Sequence, residues 1–501
     1  MEAKVNLKSI TMRLLFLSAV NATSLWAAYT LFTIENWAPL IIVLFATFLI
    51  DFIYFSPRTN ASRWLIPGTI FLIIFQIYPV MYTAVTAFTN YSTGHSVSRE
   101  EAIDGLLKQN VEPVENGDQY SFIAIHLGER KALFLTPANG GDSIIGDEKG
   151  VKSSNNSAIP DGWVQFSNEE LKTPDIQKWL TALQIPLANG NFLQADSFTT
   201  AIENRSLIKF DAEKNQLIDV ASGESLKEKG GNFYYLDGTR MEPGWKIWVG
   251  FTNFTDVVSN ERIRGPFFRV LIWTFAYAIL SVLTTFILGL TLALTLNNSR
   301  VKGQRVWRSL LIIPYAIPGF LSILVWAGLL NDDYGLMNRA LGTHIPWLFD
   351  ATWAKVSTLL VNLWLGFPYM FLVSTGALQS IPAELSEAAQ MDGASNKVVF
   401  SRIKLPLLLV TMAPLLIGSF AYNFNNFGGI YLLTGGGPAQ NDSDVAGATD
   451  ILISYTYKLA FSSGKGAQYG LATAISIIIF FIVASVSALS FKRTKALENL
   501  N

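Results

Sequence analysis

Apolar runs of membrane-crossing length dominate the hydropathy pattern of this chain. A bilayer core about 30 Å thick calls for roughly twenty consecutive apolar residues in a helix. Stretches of about that length fall at 12–32, 37–55, 64–89, 266–296, 306–330, 355–379, 404–430 and 469–491. The pattern predicts an α-helical polytopic membrane protein with about eight transmembrane helices. Lys4, Lys8 and Arg13 precede the first run much as they would in a secretory leader. That run continues to about Phe32, however, and no persuasive cleavage site separates it from the second, so a retained helix is expected.

Residues 92–265 break the pattern. Charge rises, Gly, Asn and Asp become common, and no span-length apolar run survives. Short β-prone runs occur at Tyr120–Leu127, Lys131–Leu135, Ser206–Phe210, Gln216–Val220 and Asn232–Leu236. Turn formers separate them, among them Asn139-Gly140, Asn189-Gly190 and Asp237-Gly238. With Trp163, Trp179 and Trp245 as core material, a folded, mostly β domain is expected rather than a disordered loop. Helices at about 167–183 and 197–204 would make it mixed. The expected layout is therefore two N-terminal helices in 1–63, a first core helix in 64–91, the inserted domain in 92–265, and the remaining core in 266–501.

Basic residues orient this layout. Lys4, Lys8, Arg13, Arg58, Arg63, Arg300, Lys302, Arg305, Lys397, Arg402, Lys404, Lys492, Arg493 and Lys495 fall on one side. The opposite short loops hold only Arg339, Lys355, Lys458 and Lys465. By the positive-inside rule the first side is cytoplasmic, which puts both termini inside and residues 92–265 outside. Composition agrees with a membrane class: half of the 501 residues are hydrophobic and 15% are charged. With no cysteine and a net charge of −1, disulfides, thiolate metal sites and a nucleic-acid partner are not expected.

Little in the chain points to catalysis. No nucleotide-hydrolysis motif occurs, and His95, His126 and His344 lack ligand-like spacing. Asp51 lies near the end of a span, and no Asp or Glu falls inside the last five, which argues against proton-coupled transport. The glycine run in Leu433–Pro438 lacks the P-loop pattern and reads better as a close backbone turn. The spans instead carry uncharged polar and aromatic residues. Ser419, Asn423 and Asn426 are spaced by four and three, on one helical face, with Tyr422 beside them. The preceding span holds Leu365, Gly366, Tyr369 and Ser374. Amides and aromatic faces suit a neutral, hydroxyl-rich ligand such as a sugar, and they equally suit adhesion between helices.

The polar stretch 380–406 is too long and too helical for a simple connection. Pro382 suits a first helical turn, Gly393 a stop, and Pro406 the opening of the next span after a second short helix. No basic residue occurs in 382–391, so contact with a protein partner is favoured over rest on lipid headgroups. Glu387-Ala388-Ala389, Gly393, Ile403 and Leu405-Pro406 resemble the cytoplasmic EAA loop of binding-protein-dependent ABC importer permeases. Val249–Phe254 and Leu433–Pro438 are similar to further signatures of the sugar permeases in that family.

The resemblance implies a permease subunit that works by alternating access, with Glu387, Ala388, Ala389 and Gly393 in a coupling helix docked on an ATPase. It implies Leu365, Gly366, Tyr369, Ser419, Tyr422, Asn423 and Asn426 as sugar contacts, and Gly428 stands where a larger apolar residue is expected. The two extra N-terminal helices and the inserted domain resemble the maltose/maltodextrin branch. The implied partners are a second permease, an ATPase dimer using ATP and Mg, and a periplasmic maltose-binding protein, with no cofactor on this chain. A permease for another sugar, an ion-driven carrier and an assembly scaffold are the competing readings.

Overall fold

A computed structural model describes residues 7–55, 60–154, 158–297, 301–440, 445–461 and 466–498. Lys4, Arg58, Arg300 and Lys465, which enter the charge pattern, lie outside the described residues. The chain forms two compact units, one running to Val85 and the other starting at Thr86.

The first unit is helical. It comprises α1 (Leu7–Thr33), α2 (Trp37–Phe55) and α3 (Asn60–Leu72), the last continuing through a π turn at Ile73–Ile77 into α4 (Tyr78–Thr86). Leu17, Tyr54 and Ile66 make its small core. Most remaining apolar side chains, such as Trp26, Phe45 and Phe71, point outward, as lipid-facing residues do. Asp51 is not left bare: the Asn21 amide on α1 donates to its carboxylate at 3.0 Å.

In the second unit the inserted domain comes first. Its helix α5 (Arg99–Gln109) starts at a capping box, in which Ser98 and Glu101 satisfy each other's backbone N–H groups. The sheet contains β1 (Val111–Pro113), β2 (Gln119–Leu127), β3 (Arg130–Pro137), β4 (Ile144–Asp147), β5 (Gly150–Ser153) and β6 (Val164–Gln165). After α6 (Pro174–Ala182) it is completed by β7 (Ile185–Pro186), β8 (Phe192–Ala195) and β9 (Thr200–Ser206). The strand order is β5-β4-β3-β2-β9-β8-β7, with β1 on β9 and β6 on β2. Phe122, Leu133, Leu135, Ile185 and Leu193 cover one face beneath Leu180 of α6, while Ile125, Ala132 and Phe134 meet Trp163 on the other.

Two hairpins follow, β10 (Ile208–Asp211) with β11 (Gln216–Asp219) and β12 (Lys227–Lys229) with β13 (Asn232–Tyr234). They pack with α5 and Trp245 into a second small core. The expected helix at 197–204 is therefore wrong, since that segment enters the sheet as β9 between β2 and β8. Its two consecutive buried polar residues, Glu203 and Asn204, hide the strand alternation. The other expected helix shrinks to α6, which Pro174 opens, preceded by a 3-10 turn at Glu170–Lys172.

The helical core begins with α7 (Thr252–Ser259) and α8 (Glu261–Leu296). It continues through α9 (Gln304–Ala316), α10 (Gly319–Leu329), α11 (Leu336–Leu341) and α12 (Ala351–Gln379). Next come α13 (Ala383–Met391), α14 (Asn396–Val399) and, beyond a π turn at Phe400–Lys404, α15 (Leu405–Phe424). The last elements are α16 (Phe427–Thr434), α17 (Leu452–Phe461) and α18 (Tyr469–Glu498).

Among the described residues six helices are long and apolar enough to cross a membrane, and α9 with α10 make a seventh crossing if counted as one. Three of the eight expected spans differ from this, one of them 404–430, which is continuous as a helix only to Phe424. The helix α2 is apolar but shorter, and the run 306–330 bends by 91° between α9 and α10. Pro318 offers no N–H and forces Ile317 into an extended conformation, so the helix must stop there.

The helix α8, 36 residues and about 54 Å long, is the spine of this unit. It meets α12 at glycines. A Cβ on Gly289 would lie 2.7 Å from the Met370 main chain, and one on Gly366 would lie 2.8 Å from Thr285 Cγ2. Leu290, Ala293, Phe371, Leu378, Leu408 and Met412 fill the space where α8, α12 and α15 converge.

Two stability predictions follow from this packing. Gly289→Val forces α8 off α12 and is expected to cost about 1–3 kcal/mol by overpacking. Gly376→Ala, where a Cβ meets only open space, should leave the heat-induced loss of the monodisperse chromatographic peak unchanged or delayed. In the inserted domain Glu203 is 8% exposed and accepts from Asn191 at 2.6 Å and Asn189 at 2.8 Å. The Asn191 bond first, and then that of Asn189, holds its carboxyl below the usual range. A native pKa below the unfolded one stabilises above the unfolded value, and that stability disappears as pH falls through the native value. Below roughly pH 4.3 the domain should therefore weaken, and Glu203→Gln should start lower at pH 7 and lose less on acidification. Tryptophan-fluorescence melts at stepped pH measure both.

Candidate functional site

A polar stripe runs along α8. Thr274, Tyr277, Ser281 and Thr285 follow one another at helical spacing, and each is at most 3% exposed. Isolated hydroxyls are tolerated in an apolar helix because they can bond back to its own carbonyls, as Thr274 does to Val270 at 2.7 Å and Thr285 to Ser281 at 2.6 Å. The Thr274 hydroxyl also accepts from the Leu452 N–H at 2.9 Å, tying α8 to the start of α17.

Opposite this stripe α15 ends early. The run 404–430 does not continue as one helix, because Asn425 ends it and Asn426 starts another. Asparagine is a poor interior residue and a strong N-cap. The Asn426 Oδ1 accepts from the Gly429 N–H at 3.0 Å and caps α16. Its Nδ2 donates to Asn362 Oδ1 at 3.3 Å and, more weakly, to the Tyr277 hydroxyl at 3.5 Å. Three elements thus meet at one side-chain amide.

The expected shared face of Ser419, Asn423 and Asn426 holds for the first two only, since Asn426 lies past the end of α15. The Asn423 Nδ2 donates back to the Ser419 carbonyl at 2.8 Å. Its Oδ1 is buried and bonds to nothing among the described residues, a state that costs about 1–3 kcal/mol. An acceptor kept at that cost is poised for a hydroxyl donor. Tyr422, by contrast, is 69% exposed on this chain and does not join the cluster.

On α12, Leu365 packs against the cluster of Ile323, Trp347, Val361 and Leu433. Gly366 gives room to Thr285, so its small size serves the approach of two helices. Tyr369 is half-buried one turn further on. Ser374 faces α15, its hydroxyl 3.7 Å from the Met412 sulfur. Gly428 has open space where a Cβ would stand. Sequence reasoning missed Asn362 and Tyr277. Asn362, Gly366 and Tyr369 repeat the spacing of four and three found at Ser419, Asn423 and Asn426, a signal that was available.

The glycine-rich turn after α16 is built around Asp450. A Cβ on Gly436 would run into the Asp450 carboxylate, so no larger residue fits there. The carboxylate is fully buried and accepts from the Gly447 N–H at 2.7 Å, the Ser454 hydroxyl at 2.8 Å and the Lys458 ammonium at 2.6 Å. Burial pushes its pKa up, and Lys458 opposes the shift. Thr434 closes the turn through Thr449 at 2.7 Å.

The polar stretch 380–406 folds as a helix, a turn and a second short helix. Pro382 precedes α13, and Gly393 takes the left-handed conformation with φ +84. The Gly393 and Ala394 N–H groups return to Gln390 and Ala389. Pro406 sits in the first turn of α15. No residue of α13 is buried: Glu387 and Ala388 are exposed, Ala389 is half-buried, and the apolar Leu385 and Met391 face outward.

Removing the capping amide should be costly and removing the tyrosine hydroxyl cheap. Asn426→Ala deletes the α16 cap and strands Asn362, for an expected loss of about 1–3 kcal/mol. Tyr277→Phe removes only a long bond, for less than about 1 kcal/mol. Thermal midpoints of the purified wild type and both variants give the order.

Residues 285–493 match the family described as the inner membrane component of binding-protein-dependent transport systems. Residues 70–149 match the N-terminal region of the transmembrane subunit in such ABC transporters. Among individual proteins, the maltose/maltodextrin transport system permease protein MalF of Vibrio vulnificus is 34% identical over 98% of this chain and 96% of its own length. The MalF proteins of Salmonella typhimurium and Escherichia coli are 34% and 33% identical, each over 89% of both chains. Identity at this level along nearly the whole length establishes kinship: the chain belongs to the MalF family of ABC-importer permeases and is a membrane-spanning permease subunit of a sugar importer.

Proposed function

We propose that this chain carries maltose and maltodextrins across a bacterial inner membrane, with both termini in the cytoplasm and residues 92–265 in the periplasm. The observation that carries this reading is the identity to MalF proteins along almost the entire chain, inserted domain included. The sugar is received from a periplasmic maltose-binding protein. A MalG-like permease forms the other half of the path, and a MalK-like ATPase dimer supplies the power from ATP and Mg.

Within this scheme the sugar rests against α12 and α15. Asn423 Oδ1 accepts from a sugar hydroxyl, Tyr369 offers its ring, and Leu365, Gly366, Ser419, Tyr422 and Asn426 line the remainder. Hydroxyl-rich ligands need acceptors and donors held at fixed positions, which the bonded amides of Asn423 and Asn426 provide. Open space at Gly428 leaves room for a bulky sugar on that side.

The exposed α13 docks on the ATPase, with Glu387 making a polar contact, Ala388 and Ala389 permitting close approach, and Gly393 turning the chain away. Closure of the ATPase dimer turns the cavity outward, and its separation after hydrolysis turns the cavity inward.

Reconstituted vesicles containing the full complex and binding protein test this. ATP-dependent maltose uptake is expected from the wild type and should be lost from Tyr369→Ala with Asn423→Ala, while the complex still assembles. Unchanged uptake would move the sugar site elsewhere. Glu387→Lys with Gly393→Pro should abolish uptake by breaking the ATPase contact, and wild-type uptake from that variant would end the docking assignment.

A further inference from the structure

The segment Val249–Phe254 has no part in the sugar face or in α13, yet it holds a densely bonded junction in the second unit. The chain enters the inserted domain through residues 87–97 and leaves it through 245–250. These two segments pair at Thr89 with Trp248 and at Val97 with Trp245. The Asn90 side chain stitches them further, accepting from the Ile247 N–H at 2.7 Å and donating to the Trp245 carbonyl at 3.1 Å. Gly250, at φ +61, then turns the outgoing segment into α7.

On α7, Asn253 directs its amide at the incoming segment. Its Nδ2 donates to the Ala87 carbonyl at 2.8 Å and to the Thr89 carbonyl at 2.8 Å, so both of its hydrogens are used. Both carbonyls lie in the turn just past α4, outside its helical ladder. Ala87 is fully buried and Thr89 is 4% exposed, so water is no ready substitute.

The last span grips the same segment from another side. The Gly470 N–H donates to the Tyr91 carbonyl at 2.9 Å, and a Cβ on Gly470 would collide with the Thr89 carbonyl. Thr93 and Ala467 exchange two bonds, and the rings of Tyr91 and Tyr469 stack at 4.8 Å. Phe88 lies within 5.3 Å of the rings of Trp248, Phe251 and Phe254. Val257 of α7 is buried among Phe267, Leu471 and Ile475, which fixes α7 to α8 and α18.

We infer that Asn253 is a positioning residue that couples the inserted domain to the transport core, so that an event on the domain reaches α8 and α18 through this knot. The inference rests on the transport function proposed above, in which a binding protein delivers sugar outside the membrane while an ATPase works inside, and it adds that the two are coupled through this chain. The amide is the only side chain of ordinary size that offers two hydrogens and no charge. Serine keeps one donor, alanine keeps none, and aspartate sets a carboxylate against two carbonyl oxygens.

ATP hydrolysis by the full complex in lipid nanodiscs, with and without maltose-loaded binding protein, tests the idea. The stimulated-to-unstimulated ratio should fall in the order wild type, Asn253→Ser, Asn253→Ala, Asn253→Asp, by about tenfold at alanine, while the unstimulated rate stays constant. Equal ratios in all four proteins would overturn the inference. So would stimulated and unstimulated rates falling by one common factor, which marks a residue needed only for stability. Failure of all three variants to assemble would have the same meaning, and if aspartate alone fails, serine and alanine decide. A wild-type complex indifferent to the binding protein would instead overturn the transport function itself.

Discussion

Inside a bilayer or a buried joint beside it no water replaces a missing hydrogen bond, so every interruption of a helix must be answered by a side chain or another segment. That constraint accounts for the places where this protein departs from plain spans. Where α15 stops, Asn426 caps α16 and reaches Asn362. Past α4, Asn253 takes up two carbonyls. In the turn after α16, Asp450 collects Gly447, Ser454 and Lys458. The asparagines and the buried aspartate are therefore joints first, and their positions determine where the chain can change direction.

Close packing works alongside these joints. Without a hydrophobic drive between helices in lipid, contact depends on surface fit and small residues. Gly289 and Gly366 bring α12 against α8, and Gly470 brings α18 against the incoming segment. On the polar stripe of α8 and on the neighbouring α15, Ser281 Oγ and Asn423 Oδ1 are buried and bond to nothing among the described residues.

Much of this fold was legible in the sequence because the membrane leaves little choice. Continuous apolarity marks the long spans, and Pro382, Gly393 and Pro406 mark the boundaries of the polar stretch. What escaped depends on partners distant in sequence. The strand β9 looked helical because Glu203 is buried by amides from Asn189 and Asn191 across a turn. The bend between α9 and α10 was hidden by uniform apolarity, although Pro314 and Pro318 lay in view. Tyr277 lies 149 residues from the amide it meets, and no local pattern announces such a pairing.

The two short helices flanking α15 illustrate opposite uses of the same chemistry. The helix α16 is held at both ends, by Asn426 at its start and by Thr434 bonded to Thr449 at its close. The helix α13 has no buried residue and closes its end on Gly393, so little within this chain resists its displacement. Between them α15 is continuous from Leu405 to Phe424, preceded by a π turn that joins it to α14. Pro414 lies inside that helix, and the two short helices at its ends are held unequally, α16 by side-chain bonds at both termini and α13 by no buried residue at all.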